Sequence, residues 1–262
     1  MEGDVGDVES AATTENGLTT INGITTINGI TTINGITTIN GITTINGITT
    51  INGNTGPMTT ATGRTQFAYL IRCALPATSS ITKKDQYGNS YTFQGLLGLA
   101  PQWENGTCDI NCQEDVSACM LAHINTAGNH VPLWLVSSNS AVGWGQDPEF
   151  PNQEASFFGN VFVSGQHGAP QGTMSMYYCT GAKYNVNPPL GRIGSTQTNP
   201  PYVNPFGSTY ASCNLGCATA DYPHQPDGWK ACYGWNHVTT IWRQNTTTTT
   251  TSAGTGHGFR WK

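Results

Sequence analysis

Charged side chains are scarce in this sequence. They make up 10% of its 262 residues, whereas soluble domains usually contain about 25%. No Lys or Arg precedes Arg64, and the one pair of adjacent basic residues is Lys83 and Lys84. Because proteins that bind nucleic acid attract phosphates with clustered Lys and Arg, the sequence argues against a nucleic-acid partner. A surface with so little charge also has little repulsion to keep copies of the chain apart.

Long apolar segments and familiar catalytic motifs are also missing. No run of about 18 apolar residues exists, so no membrane-spanning helix is predicted. The first 15 residues are acidic and lack the apolar stretch of a signal peptide. The hydrolase motif Gly-x-Ser-x-Gly and the haem-attachment motif Cys-x-x-Cys-His do not occur. We therefore predict no cofactor, no bound metal and no enzymatic activity.

Cysteines, by contrast, are numerous. An even number of them in a Gly-rich chain with few charges is typical of an exported protein with disulfide bonds. The alternative is a zinc site with thiolates from Cys108, Cys112, Cys213 and Cys217, although zinc knuckles more often use a shorter spacing. We predict up to four disulfides, with eight candidate residues: Cys73, Cys108, Cys112, Cys119, Cys179, Cys213, Cys217 and Cys232.

Composition divides the chain into four segments. Residues 1–15 form an acidic leader, and residues 16–51 consist of six hexapeptides. Residues 52–63 break the repeat at Asn54 and Pro57, which is typical of a cap and linker. Residues 64–262 form a cysteine-rich domain that includes a Thr-rich stretch at 245–252.

The repeat reads Asn-Gly-Leu-Thr-Thr-Ile once and Asn-Gly-Ile-Thr-Thr-Ile five times. Asn-Gly favours a tight turn, because both residues tolerate positive φ. The other four positions are mostly β-branched, which favours a strand over a helix. Ile21-Asn22-x-x-Thr25 and its copies resemble the hexapeptide of left-handed parallel β-helices, which implies a β-solenoid-like segment or an extended β-arm. The acyltransferase activity of that family is not implied, because the repeat contains no His.

The length of the arm argues that it orders only with a partner. Burying roughly six to nine Ile side chains contributes about 10–25 kcal/mol, whereas ordering the 36 residues costs about 1–2 kcal/mol each. An uncapped coil also leaves backbone groups unpaired, and a second copy of the arm can pair with them.

Two alternative interpretations of the repeat are a disordered spacer and a Thr-lined face that binds ice. The predicted assembly residues are Ile21, Ile24, Ile27, Ile30, Ile33, Ile36, Ile39, Ile42, Ile45, Ile48 and Ile51.

The cysteine-rich domain is predicted to be α+β and mainly β. Apolar spacing predicts a helix from about Thr65 to Ala74, ended by Pro76. A hairpin follows, with its turn near Asp85–Asn89. A second helix is predicted within residues 113–128, with acids in its first turn. Further strands are predicted in "HVPLWLVSS", "ASFFGNVFVSG", "TMSMYYCTG" and "WNHVTTIWRQ".

Four stretches of this domain carry a second resemblance. They read "YLIRCALP", "QGLLGLAPQW", "DVSACMLAHINTAGNHV" and "EASFFGNVF". They resemble an uncharacterised class of secreted or surface lipoproteins from predatory and social soil bacteria, in which Asn-Gly-Leu-type repeats often precede such a domain. The resemblance implies export and this order of segments, and it implies no activity.

Three sets of residues are candidates for chemistry. Cys119 and His123, four apart on one helix, can pair as nucleophile and base, but a half-cystine beside a core histidine is the simpler interpretation. Glu114 and Glu154 can form a glycosidase pair. Glu114 and Asp115 are better explained as partners of the helix dipole. The seven Trp and ten Tyr can stack on sugars, although they are more often core residues.

Two Asn residues match the acceptor motif for N-glycosylation, namely Asn105 and Asn245. The Thr-rich stretch that follows Asn245 is a spacer or an O-glycosylated stalk. Both modifications fit an exported chain.

The sequence thus favours an extracellular or cell-surface structural protein that assembles with copies of itself through the Ile/Thr arm, into filaments where the contacts do not close. The alternative is a cell-surface module that binds polysaccharide or ice. A third hypothesis is a secreted glycoside hydrolase.

Overall fold

The computed structural model describes Ile48 and residues 56–123, 133–164, 166–167, 174–180, 208–210, 213–219 and 228–243. The acidic leader and the predicted solenoid or β-arm, apart from Ile48, lie outside the described residues. Asn245 and the Thr-rich stretch do so too.

The described residues form a mixed structure in which strands outnumber helices, as the sequence predicts. The two α-helices among them are α1 (Ala61–Ala74) and α2 (Ile110–Ala122). The strands are β1 (Ser80–Lys84), β2 (Ser90–Gln94), β3 (Leu133–Ser137), β4 (Asn152–Ser164), β5 (Met174–Thr180), β6 (Ser208–Tyr210), β7 (Cys217–Thr219), β8 (Trp229–Cys232) and β9 (Thr239–Arg243). Short 3-10 turns occupy Gly56–Thr59, Pro101–Glu104 and Cys213–Leu215.

One five-stranded sheet organises these elements. Its strand order is β3-β9-β4-β5-β6, and all pairs are antiparallel except β5 with β6. Side chains alternate across a strand, and on β4 the neighbours Phe157 and Phe158 belong to different apolar clusters. Phe157 joins the main core with both helices, whereas Phe158 joins a smaller cluster that contains the half-cystines of the β7–β8 ribbon. The sheet is therefore covered on both faces.

Helix α1 begins four residues before the expected start. The Thr60 side chain accepts a hydrogen bond from the Gly63 N–H at 3.0 Å and so caps the helix at Ala61. This start lies inside the segment that the sequence assigns to a cap and linker. The helix ends at Ala74, followed by extended Leu75, because Pro76 cannot continue it.

Helix α2 also begins earlier than expected, and this overturns one interpretation. Asp109 is the N-cap, and its side chain accepts from the Cys112 N–H at 2.9 Å. Glu114 and Asp115 therefore lie in the second turn and not in the first. Both are buried, at 5% and 8% exposure. The prediction that they are first-turn partners of the helix dipole is wrong, because Asp109 occupies that position.

All eight cysteines are paired, as predicted. The bonds are Cys73–Cys119, Cys108–Cys112, Cys179–Cys213 and Cys217–Cys232. Cys73–Cys119 ties α1 to α2, and Cys217–Cys232 joins opposite positions of β7 and β8. The alternative of a four-thiolate zinc site is wrong, because its four sulfurs are held in three disulfides.

The β1–β2 hairpin lies where the sequence predicts it. Its strands pair antiparallel from Ser80 with Gln94 to Lys84 with Ser90. In the turn, the Asp85 carboxylate accepts hydrogen bonds from the backbone N–H groups of Tyr87 and Asn89, at 2.8 and 3.0 Å. Such local bonds explain why Asp favours turns.

The linker packs tightly on the start of helix α1. A Cβ atom added at Gly63 would lie 2.4 Å from the carbonyl oxygen of Pro57. Arg64 donates a hydrogen bond from Nη1 to the Met58 carbonyl at 3.0 Å. Pro57 and Met58 are buried. The linker is therefore fixed to the body from Pro57 onward.

We expect Gly63→Ala to destabilise the protein by about 1–3 kcal/mol, because the added methyl group must displace the Pro57 backbone. The midpoint of urea unfolding measures the change. Ala is the better helix former by about 1 kcal/mol, so helix propensity acting alone raises the midpoint. A raised midpoint would contradict the close packing.

Candidate functional site

Two features of the described structure are candidates for function. The first, which we name the α2 polar cluster, consists of Asn111, Glu114, Asp115, His167 and His237. Helix α2 supplies the first three residues, while His167 follows β4 and His237 precedes β9. The second is the buried position of Ile48, which we name the arm seat.

His237 bridges two positions of helix α2 that lie one turn apart. Its Nδ1 is 3.0 Å from Asp115 Oδ1, and its Nε2 is 3.2 Å from Asn111 Oδ1. Both neighbours are acceptors, so a ring that is protonated on both nitrogens satisfies them together. The hydrogen bond to Asp115 raises the pKa of His237, burial opposes this, and the charges of Asp115, Glu114 and Asp109 add to it. Asn139 donates to the other oxygen of Asp115 at 2.7 Å.

Glu114 forms the second half of the cluster. Its Oε1 lies 3.5 Å from Nε2 of His167. Burial raises the pKa of Glu114, and the nearby His237 and His167 oppose this change. The His167 ring packs against Trp235 with 4.0 Å between ring centroids. His167 has a φ of 48°, in the left-handed region that few non-glycine residues adopt.

The cluster links three chain segments, but its ligand atoms do not form a group that could bind a single metal ion. Among the described residues, three ligand atoms within 4.8 Å of one another occur only in sets that contain half-cystines. One of these sets is Cys73, Cys119 and His123, and the other is Cys179, Cys213 and Cys217. The geometry of the α2 polar cluster is that of two His–carboxylate pairs, which hold segments together.

The structure places the proposed Cys119–His123 pair inside the core. Cys119 is bonded to Cys73, so it offers no thiolate. His123 Nδ1 lies 3.8 Å from Cys119 Sγ and 2.8 Å from the Cys119 carbonyl oxygen. The interpretation as a half-cystine beside a core histidine is confirmed.

The proposed carboxylate pair, Glu114 and Glu154, is divided between two partners. Glu154 lies on β4 where the register shifts between Gln153 and Ala155, and it is fully buried. Its Oε2 is 2.7 Å from Arg243 Nε, whereas Glu114 faces His167. A buried carboxylate with its own guanidinium has no face open to a sugar, so this arrangement does not favour a glycosidase.

Most of the described Trp side chains are core residues. Trp103, Trp229, Trp235 and Trp242 are at most 4% exposed, and Trp134 and Trp144 are half-buried. Among the described residues, the Trp side chains therefore leave little surface for a sugar to stack on, whereas Tyr87 is 80% exposed. Asn105 is exposed at the end of a 3-10 turn, where a glycosylation acceptor is accessible.

The arm seat was not expected from the sequence. Ile48 is the third residue of the last hexapeptide, and it is 0% exposed as a member of the main core cluster. The same cluster contains Met58 and the apolar face of α1. The sequence identified Ile48 only as one of eleven equivalent arm residues.

The sequence did not predict the α2 polar cluster either. His167 and His237 stand in segments without periodicity, and they meet residues that are 53 and 122 positions away in the chain. The one available signal was the presence of two adjacent acids in a helix that contains no basic residue, because buried acids need partners.

No protein-family model, no curated protein and no solved structure matches this chain. The resemblance to surface lipoproteins therefore stays a prediction. None of the helices in the described part of the chain is long and apolar enough to cross a membrane.

We expect the α2 polar cluster to make folding more favourable at mildly acidic pH. The folded protein holds the His237 proton more tightly than the unfolded chain does. The resulting stabilisation is complete below the ordinary pKa of 6.5 and is lost as the pH rises through the raised value. Burial of Glu114 acts in the same direction, from its ordinary pKa of 4.5 upwards.

The test compares urea midpoints from about pH 5 to about pH 8 with and without His237→Asn. Both proteins carry Glu114→Gln, so that the second titrating carboxyl of the cluster is absent. We expect the midpoint to fall less steeply with pH when His237 is replaced. Asp115→Asn, which keeps the shape but removes the charge, should flatten the profile as well. An unchanged slope in both variants would contradict the assignment.

Proposed function

We propose that this chain is an exported structural protein that assembles with copies of itself by exchanging its repeat arms. The observation that carries the proposal is the arm seat: a residue of the repeat is fully buried in the core of the body. The partner is a second copy of the same chain, and the product is a filament when successive exchanges do not close into a ring.

The seat has an energetic consequence. Full burial of an Ile side chain contributes about 1.5–3 kcal/mol. The body is therefore stabilised by Ile48, and its free energy of unfolding is lower when no Ile side chain occupies the seat. This gives the folded body a reason to bind an Ile-containing segment.

The repetition makes the occupant of the seat interchangeable. Ile48 lies in the sequence Asn-Gly-Ile-Thr-Thr-Ile, and Ile24, Ile30, Ile36 and Ile42 occupy the same position in identical copies. The seat cannot distinguish these copies by their contacts. Only the length of the intervening chain distinguishes them, and its entropic cost grows slowly with length.

An arm from another molecule presents the same hexapeptides. Exchange of an identical element between protomers is a low-cost route to assembly, because no new interface has to be created. Ile48 of the sixth hexapeptide fills the seat of its own body, and the sequence contains five further hexapeptides. The supply of arm segments therefore exceeds the number of seats in each chain.

Two further properties suit an exported assembly. Four disulfides are consistent with folding in an oxidising compartment outside the cytosol. Only 10% of the residues are charged, so copies approach one another with little electrostatic repulsion.

In a chain that lacks residues 16–45, no other copy of the hexapeptide can take the seat. In that shortened chain we expect Ile48→Ala to lower the free energy of unfolding by about 2–4 kcal/mol, as is usual for removing a buried Ile side chain. The matched control is Ile48→Ala in the full-length chain, where Ile42 or an earlier copy can take its place at an entropic cost of about 0.6 kcal/mol for each doubling of the loop. Urea unfolding of the monomeric proteins measures both changes. Equal losses in the two chains would contradict interchangeable copies, and no loss in the shortened chain would contradict the seat.

Deletion of residues 16–45 should abolish assembly and leave the body folded. Deletion of the whole repeat, 16–51, is less informative because it also removes Ile48 from the core. Size-exclusion chromatography with light scattering, together with negative-stain electron microscopy, measures the assembly state. A Gly/Ser segment of equal length in place of 16–45 controls for spacing and should not restore assembly. Filaments or oligomers formed by the shortened chain would refute the proposal.

A further inference from the structure

We propose that the two disulfides beside β5 and the β7–β8 ribbon form a thiol–disulfide exchange centre that accepts a dithiol. The centre consists of Cys179–Cys213 and Cys217–Cys232. An external dithiol opens the second bond at Cys217, and Cys217 then displaces Cys213 from Cys179. This proposal is independent of the arm seat and of assembly.

The distances between sulfur atoms support this exchange. Cys217 Sγ lies 3.5 Å from Cys179 Sγ, which belongs to the other disulfide. The Sγ atoms of Cys179, Cys213 and Cys217 all lie within 4.8 Å of one another. Exchange requires a thiolate that can reach a disulfide sulfur, and here the distance is already that of contacting atoms.

Accessibility selects the point of entry. Cys217 is half-buried, whereas Cys179, Cys213 and Cys232 are 0% exposed. The adjoining Leu215 is 80% exposed, so this turn lies at the surface. Because access is one of the factors that decides which sulfur is attacked, an incoming thiolate reaches Cys217 first.

The chemistry balances with a dithiol as the reductant. Its first thiolate attacks Cys217 Sγ, forms a mixed disulfide and expels Cys232 as a thiolate, which takes up a proton. The second thiolate closes the disulfide of the reagent and expels Cys217. Cys217 then attacks Cys179 Sγ, so the Cys179–Cys217 bond forms and the electron pair of the broken bond leaves on Cys213. The products are one oxidised reagent, one protein disulfide and the thiols of Cys213 and Cys232.

The exchange requires little movement of the backbone. Cys213 and Cys217 are separated by only three residues, Asn214, Leu215 and Gly216. When Cys217 replaces Cys213 as the partner of Cys179, the disulfide therefore moves by only four positions along the chain. Once Cys232 is released, Cys217 needs a side-chain rotation to align with the bond that it breaks.

Limited reduction of the full-length oxidised protein tests the proposal. The protein is treated with substoichiometric dithiothreitol and quenched with acid. Free thiols are then labelled with N-ethylmaleimide, and tandem mass spectrometry locates the label. We expect the early product to carry label on Cys213 and Cys232 and to contain a Cys179–Cys217 bond. Label on Cys217 and Cys232, with Cys179–Cys213 intact, would overturn the proposal.

A pair of variants supplies the matched control. Cys232→Ser leaves Cys217 without its partner, and we expect the label to appear mainly on Cys213. Cys217→Ser leaves Cys232 as the single thiol. Cys232 does not belong to the group of three close Sγ atoms from Cys179, Cys213 and Cys217. In this control we expect the label on Cys232 and an intact Cys179–Cys213 bond. Label that stays on Cys217 in the first variant would refute the exchange, and the wild-type experiment remains decisive if either variant misfolds.

Discussion

The burial of helix α2 is the constraint on which the rest of the described structure depends. Every residue from Cys112 to Ala122 is buried, although several of them are polar. A buried polar group that lacks a hydrogen bond costs about 1–3 kcal/mol. The surrounding segments must therefore supply partners, and they do so around the helix. Asn160 donates to Gln113 at 3.0 Å, the Val161 N–H donates to Ser117 at 3.0 Å, and Asn139 and His237 contact Asp115.

Two of these partners, Asn160 and Val161, lie where β4 becomes irregular. The strand changes register between Asn160 and Ser164 where it pairs with β5. Backbone donors released by this irregularity are satisfied locally, because Asn160 Oδ1 accepts from the N–H groups of Phe162 and Val163 at 2.8 and 3.1 Å. The chain beyond the strand then approaches helix α2, where His167 meets Glu114. The end of β4 and the residues after it thus supply partners both to the polar groups of the helix and to the α2 polar cluster.

The proposals concern regions at opposite ends of the described chain, and they share a physical basis. The repeat has side chains that pack well but too few of them to offset the ordering of an isolated arm. Strands β6, β7 and β8 have only three or four residues each, so the disulfides beside them contribute much of their stability. In both proposals a second molecule replaces a link within the chain, through an arm in the first case and a thiolate in the second.

The sequence by itself determined the elements whose signals are local. The Asn-Gly repeat, the Asp85–Asn89 turn and the stop at Pro76 are signalled within a few residues, and the described elements agree with the last two. The even number of cysteines is a signal of composition, and it predicted correctly that all of them are paired. The tertiary structure alone decided the pairing of the cysteines, the burial of Ile48 and the contacts of His167 and His237. Residues 122 positions apart, such as Asp115 and His237, leave no periodic trace in the chain. Their meeting depends on the five-stranded sheet and on a buried helix whose acids require partners.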